Sequence, residues 1–215
     1  MRIGVIGSGE VGASLAVGLR RHAHEVMRGS RDPKKLKAWQ ESKGKGIAIG
    51  DMAETARFGE LVVLAVKGTG AEDAVRQAGI DNLAGKPVLD TTNPIAESAP
   101  PVNGVLQFFT GPNDSLMERL QKLAPAAHFV KAWSCVGSAL MIDPALQGGP
   151  PTMFICGNDD GAKQVTTKLF KQIGWETLDL GKVEAARAIE PLCILWCIPG
   201  FLQNDWMHAF KMLKP

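Results

Sequence analysis

Residues 2–21 constrain this chain more than any other stretch. Arg2-Ile3-Gly4-Val5-Ile6 is an apolar run of strand length. Gly7-Ser8-Gly9-Glu10-Val11-Gly12 follows as a G-x-G-x-x-G turn, and Val11, Leu15, Ala16 and Leu19 then recur at helical spacing. Strand, glycine turn and amphipathic helix in that order open a dinucleotide-binding βαβ unit. The three glycines serve different ends. Gly7 allows the tight turn, Gly9 lets a pyrophosphate approach the backbone, and Gly12 lets helix and strand pack closely. The first turn of the helix offers unpaired N–H groups and the positive end of its dipole, so Gly7, Ser8, Gly9, Glu10, Val11 and Gly12 are candidate phosphate-binding residues.

The end of the second strand, Glu25-Val26-Met27, decides which dinucleotide fits. An NAD site carries an acid there, about twenty residues on, that holds the ribose hydroxyls. This chain reads Gly29-Ser30-Arg31-Asp32-Pro33-Lys34-Lys35 instead. A hydroxyl, a guanidinium fork and a lysine attract a 2′-phosphate that a carboxylate would repel. Ser30, Arg31 and Lys35 are therefore candidate 2′-phosphate ligands and the coenzyme expected is NADP(H). Asp32 is placed to cap a helix that Pro33 starts.

The chain of 215 residues is long enough for one large domain, and its net charge of +2 is scattered, so nucleic-acid binding is not expected. The first strand is too short for a signal-peptide core, and the longest apolar run, Pro191 to Leu202, holds two prolines and falls short of a membrane span. A cytoplasmic protein without membrane attachment is expected. Cys135, Cys156, Cys193 and Cys197 form no C-x-x-C pair, and His22, His24, His128 and His208 are isolated; buried thiols and no metal site are expected.

Strands and helices alternate along the rest of the chain. Helices are expected over Pro33–Ser42, from the Asp51 cap through Arg57, from the Lys67–Gly70 turn to about Ala78, and over Ser115–Leu123 and Asp160–Ile173. Strands are expected at Ile47–Ile49, Leu61–Val66, Pro87–Asp90, His128–Ala132, Thr152–Cys156 and Trp175–Asp179. An apolar helical stretch begins at Val183, and Pro191 and Pro199 should kink or split it. The fold class is α/β: a Rossmann-type, doubly wound, mainly parallel sheet over residues 1–133, with a smaller C-terminal α/β annex over 134–215 packed on it. Ligands of such sheets lie outside the strand carboxyl ends, which groups the glycine turn, Ala65-Val66-Lys67 and Thr92-Asn93-Pro94.

A nicotinamide coenzyme implies hydride transfer. Reduction of a carbonyl would need a proton donor, and the chain has no tyrosine to supply the Tyr-x-x-x-Lys arrangement. Exchange with a second flat redox ring needs no side-chain acid, only an apolar slot.

Beyond Met1–Arg31, the runs Asp90-Thr91-Thr92-Asn93-Pro94-Ile95, Val130-Lys131-Ala132-Trp133, Val136-Gly137, Phe154-Ile155-Cys156-Gly157-Asn158-Asp159 and Ala186-Arg187-Ala188-Ile189-Glu190-Pro191-Leu192 follow in order. Together they resemble the coenzyme F420-dependent NADP oxidoreductase family and the related cytosolic domain of the six-transmembrane metalloreductases. The resemblance implies a compact Rossmann protein, commonly a homodimer, passing hydride between NADP(H) and a deazaflavin or flavin, its small-molecule redox acceptor. It implies Ala65, Val66 and Lys67 on the ribose side, and Asn93, Pro94, Val136 and Gly137 around the nicotinamide. It assigns no side chain as a catalytic acid. Lys67 and Ser134-Cys135 depart from the family pattern at positions facing the second substrate, which leaves the acceptor open. Two other readings stand beside it: reduction of a small imine or carbonyl with water or Ser134 assisting, and a non-catalytic NADPH-binding module. Trp196, Phe201, Trp206 and Phe210 are expected in a dimer interface or in the core.

Overall fold

The computed structural model describes residues 1–213 and 215. β1 (Arg2–Ile6), β2 (Glu25–Gly29), β3 (Ala48–Gly50), β4 (Leu61–Leu64), β5 (Pro87–Asp90) and β6 (His128–Lys131) form one sheet in the order β3-β2-β1-β4-β5-β6. Every pairing in it is parallel. The strand order runs outward in both directions from β1 and β4, so the crevice between their carboxyl ends is the switch point of a Rossmann-type fold.

The strands alternate between two apolar layers. Leu61 and Val63 join one cluster with α1 (Glu10–Arg21), through Leu15 and Leu19. Val62 and Leu64 join the other, with Ala56 of α3 (Met52–Phe58), Val75 of α4 (Ala71–Ala78) and Leu120 of α6 (Leu116–Leu123). Strands buried on both faces are why β4 reads as an unbroken apolar run. Two short helices complete this part: α2 (Lys37–Glu41), and α5 (Ile80–Leu83), which sequence periodicity does not foretell. The expected helix from Pro33 begins instead as a 3₁₀ turn over Pro33–Leu36, with Asp32 accepting from the Lys34 N–H as its cap. Asp51 and Glu54 cap each other's backbone at the start of α3 in a reciprocal capping box.

After β6 the chain adds β7 (Thr152–Ile155), α7 (Asp160–Gln172) and β8 (Glu176–Asp179), with β7 and β8 paired as a second, parallel two-stranded sheet. A bridge between Lys131 and Cys156 ties the two sheets together. These residues share the cores of the first part: Phe170 and Trp175 pack in the α1 layer, Cys156 and Ile189 in the other.

The last helical stretch is split at the first of its two prolines. α8 (Ala186–Ile189) and α9 (Leu192–Gln203) are divided at Glu190-Pro191, but Pro199 lies inside α9 without ending it. A proline there removes a bond to the carbonyl four residues earlier, that of Leu195, which is 54% exposed and open to water. As a result Val183–Gln203, 21 residues, is long and apolar enough to cross a membrane by length and composition. Its inner side chains Cys193, Trp196 and Cys197 are buried against Cys135, and Glu190 is buried in an ion pair, as in a helix packed on a core.

Candidate functional site

The crevice at the carboxyl ends of β1 and β4 is a cleft of about 680 Å³. One wall is the glycine turn from Gly7 to Val11, a second is Ser30 and Arg31 at the end of β2, and a third is Ala65-Val66-Lys67 running into Thr69 and Gly70. Met52, Asp73, Ala74 and Thr91 complete the lining. None of those four stands out in the sequence as a site residue. Asp73 and Ala74 arrive through the packing of α4, and Met52 through α3, which no local motif announces.

The glycine turn is built for a close-lying anion. A Cβ on Gly7 would stand 2.0 Å from the Ala65 carbonyl oxygen, and one on Gly12 would stand 2.4 Å from that of Gly7. Gly12 thus sits behind the turn as a packing position and does not line the cleft. Gly9 is the opposite case, with no atom within 4 Å of the site its Cβ would occupy. The turn is open on that side to a pyrophosphate. Asp51, Ser115 and Asp159 cap α3, α6 and α7, whereas α1 starts at Gly9 with no side-chain cap. Its first N–H groups are left for an incoming phosphate, so the residues present fit the coenzyme.

Behind the turn lies a residue that no sequence motif marks. Arg28, 2% exposed, donates from Nε to the Gly7 carbonyl at 2.9 Å and from Nη2 to the Gly9 carbonyl at 2.8 Å. Its guanidinium carbon stands 4.2 Å from the centre of the Trp39 ring. Burial pulls its pKa down to about 10 against the opposite effect of Glu10, so it stays a cation at neutral pH. Arg28 is a charged residue next to the glycine that ends a parallel strand.

At the end of β2, Ser30 is buried and its hydroxyl donates to the Asp32 carbonyl at 2.7 Å. The Arg31 side chain faces the cleft from an exposed residue. Lys35 is exposed on the 3₁₀ turn and does not line the cleft. Asp32, the acid of this corner, accepts at one carboxylate oxygen from the Lys34 N–H at 3.1 Å.

None of the four residues expected around the nicotinamide lines the main cleft; Asn93 and Pro94 follow just after Thr91, which does. Asn93 and Ser134 clasp each other: the Ser134 hydroxyl donates to Asn93 Oδ1 at 2.6 Å, and Asn93 Nδ2 donates to the Ser134 carbonyl at 2.8 Å. A positive φ of 54° at the buried Trp133 turns the chain just before Ser134. The Pro94 carbonyl accepts from the Phe109 N–H at 2.9 Å. Val136 is buried, and a Cβ on Gly137 would lie 2.8 Å from the Trp196 ring. Lys67 stands at the rim, its side chain 78% exposed and 3.1 Å from Glu97.

Beneath this cluster is a buried ionic group. Lys131 Nζ lies 2.6 Å from Asp90 Oδ2 and 2.8 Å from Glu190 Oε1, and also donates to the Thr92 carbonyl at 2.8 Å. Burial alone would lower the lysine's pKa, but Asp90 and Glu190 raise it well above the ordinary value. Glu190 also accepts from the Leu116 and Met117 N–H groups at the start of α6, each at 3.0 Å. The four cysteines are free and buried, and burial pushes the Cys135 and Cys156 thiols up to about 12. Thiols held protonated in this way are packing groups. Among the described residues no set of three His, Cys, Asp or Glu side chains could hold a metal ion.

Comparison with known proteins agrees with this geometry. Residues 2–94 match the family described as NADP oxidoreductase, coenzyme F420-dependent. The crystal structure of a protein from Arthrobacter sp. FB24, described as a putative F420-dependent NADP-reductase, superposes with a TM-score of 0.93 at 33% identity, covering 100% of both chains. The F420-dependent NADP reductase of Methanocaldococcus jannaschii is 29% identical over 89% of each chain. Rat metalloreductase STEAP3 is 29% identical over 94% of this chain, which spans 39% of the rat protein's length. With the fold, the glycine turn and these relatives in agreement, the chain belongs to the coenzyme F420-dependent NADP oxidoreductase family and is an NADP-dependent oxidoreductase.

Proposed function

We propose that this protein passes hydride between NADPH and a planar redox ring, a deazaflavin such as coenzyme F420 or a flavin. One observation carries the reading: the polar side chains at the expected nicotinamide end are committed to each other. The Ser134 hydroxyl is engaged by Asn93, the Asn93 amide is engaged by Ser134, and Lys67 pairs with Glu97 at the rim. Cys135 and Val136, which follow Ser134, are buried in apolar clusters, Cys135 together with Trp196 and Phe108. A site of this kind orients two rings and excludes water, but presents no side-chain acid to a carbonyl oxygen or imine nitrogen. The names of the Arthrobacter and Methanocaldococcus relatives favour the same acceptor class.

In this reading the N–H groups of the turn from Ser8 to Val11 hold the pyrophosphate, and Arg31 holds the 2′-phosphate. Ala65, Val66 and Lys67 flank the ribose, and Asn93, Pro94, Val136 and Gly137 frame the nicotinamide. Once bound, the coenzyme supplies the hydride, and the chain supplies position. A homodimer fits the same reading, since Leu195, Phe201 and Leu202 leave the outer side of α9 exposed and apolar.

The test is steady-state NADPH oxidation against coenzyme F420, FMN, FAD, a ferric chelate and a cyclic imine. Turnover with a ring acceptor is expected to exceed that with the imine at least tenfold. Faster turnover of the imine would reverse the assignment. The Ser134 clasp gives a second check. Ser134→Ala should lower turnover by loosening Asn93 while leaving its pH dependence unchanged. A lost or shifted pH limb would make Ser134 a proton donor.

A further inference from the structure

The carbonyls of a phosphate-binding turn present a problem that its N–H groups do not. When the N–H groups of residues 8–11 face the cleft, the carbonyls of Gly7 and Gly9 face the protein interior, where an unpaired acceptor is destabilising. Gly9's carbonyl also receives the Ala13 N–H at 3.1 Å, as the first bond of α1. One buried side chain serves both oxygens: the fork of Arg28, reaching back from β2 by 21 and 19 residues. Trp39 lies against the guanidinium and fixes its plane.

We infer that Arg28 is a positioning residue for the coenzyme pyrophosphate, acting through the two turn carbonyls and serving phosphorylated and unphosphorylated coenzymes alike. It rests on the reading of the cleft as an NADP(H) site and assigns a role that the G-x-G-x-x-G pattern does not contain. Two physical arguments support it. The fork locks the turn in the orientation that aims its N–H groups outward, so no ordering is left to be done on binding. The guanidinium is also a buried cation whose direct partners are neutral carbonyls rather than a carboxylate. Glu10 compensates that charge only in part, and an anion docked across the turn would add to the compensation. Pyrophosphate charge would provide that compensation.

This role separates from that of Arg31 by experiment. The whole chain is titrated calorimetrically with NADPH, NADH and 2′-AMP, a probe that carries the 2′-phosphate without a pyrophosphate. Arg28→Met is expected to weaken NADPH and NADH by the same factor, about tenfold, the loss of one charge-assisted contact. It should leave 2′-AMP within twofold of the parent. Arg31→Ala should give the reverse pattern, weakening NADPH and 2′-AMP while sparing NADH. Arg28→Lys keeps the charge and the stem over Trp39, and should recover part of the loss for both coenzymes. It also serves as the test should Arg28→Met fail to fold, because a lysine head cannot span both carbonyls with fork geometry.

Unchanged affinities in a folded Arg28→Met or Arg28→Lys protein would overturn the inference. So would a loss confined to NADPH and 2′-AMP, which would place Arg28 on the 2′-phosphate. Failure of the parent protein to bind either coenzyme would instead overturn the reading of the cleft itself.

Discussion

Lys131→Met is expected to destabilise the protein by about 3–5 kcal/mol, the cost of removing one partner from a buried ion pair. The lysine and both of its carboxylate partners have side chains no more than 1% exposed. Methionine fills a similar volume, so the loss comes from charge and not from a cavity. Asp90 would keep its bonds from the Thr92 N–H and hydroxyl, and Glu190 its bonds from α6, but two carboxylates would share the interior without a cation. Urea unfolding should show a lower midpoint at an unchanged slope, and the melting temperature should fall by roughly 10 °C for a chain of this size.

The pH dependence of that loss is a sharper test. In the parent, the lysine's pKa is raised by folding, so its contribution is complete below the ordinary value of 10.5 and disappears only as pH rises through the higher folded value. In the variant, an unpaired buried carboxylate has a raised pKa and takes up a proton as pH falls. The gap between parent and variant should therefore narrow from pH 7 to pH 5. A loss below 1 kcal/mol, or a gap that widens on acidification, would mean that the three groups do not act as an ionic unit. Turnover should suffer as well, because Lys131 also holds the Thr92 carbonyl next to Asn93.

What is legible in the sequence is local. The strand, turn and helix of residues 2–21 lie within one contiguous motif, Gly7 and Gly12 answer close approaches from Ala65 and from the turn itself, and Asp51 and Ser115 announce helix starts three residues ahead of Glu54 and Glu118. The corner at Ser30-Arg31 is legible because a hydroxyl and a guanidinium stand where an NAD site carries its acid. What stays hidden depends on pairs far apart in the chain. Arg28 lies past the expected end of the second strand at Met27, and only its fork on Gly7 and Gly9, 21 and 19 residues away, reveals its part. Lys131, Asp90 and Glu190 belong to three separated motifs whose charges have no local reason to meet. Lys35, a candidate for the 2′-phosphate, stands on the 3₁₀ turn outside the cleft lining.

The cleft lining puts one of the two candidate 2′-phosphate cations on its wall. Of the three groups that the sequence offers to the 2′-phosphate, the Ser30 hydroxyl holds the Asp32 carbonyl and Lys35 is off the lining, leaving Arg31 as the cation on the wall. Arg31→Ala should therefore remove most of the preference at once. A hydrogen bond to a charged group contributes about 1.5–3 kcal/mol, so NADPH affinity should fall by about 10- to 150-fold. NADH, which has no 2′-phosphate, should change by less than twofold. Because Arg31 is exposed, the parent's preference should also weaken as salt is raised, and the variant's residual affinity should be nearly flat with salt over the same range. Equal losses for the two coenzymes would place Arg31 on the pyrophosphate instead, and a variant that still prefers NADPH would require the 3₁₀ turn to swing Lys35 inward on binding. A further substitution, Lys35→Ala in the Arg31→Ala background, separates these outcomes: no additional loss is expected if Arg31 alone reads the phosphate.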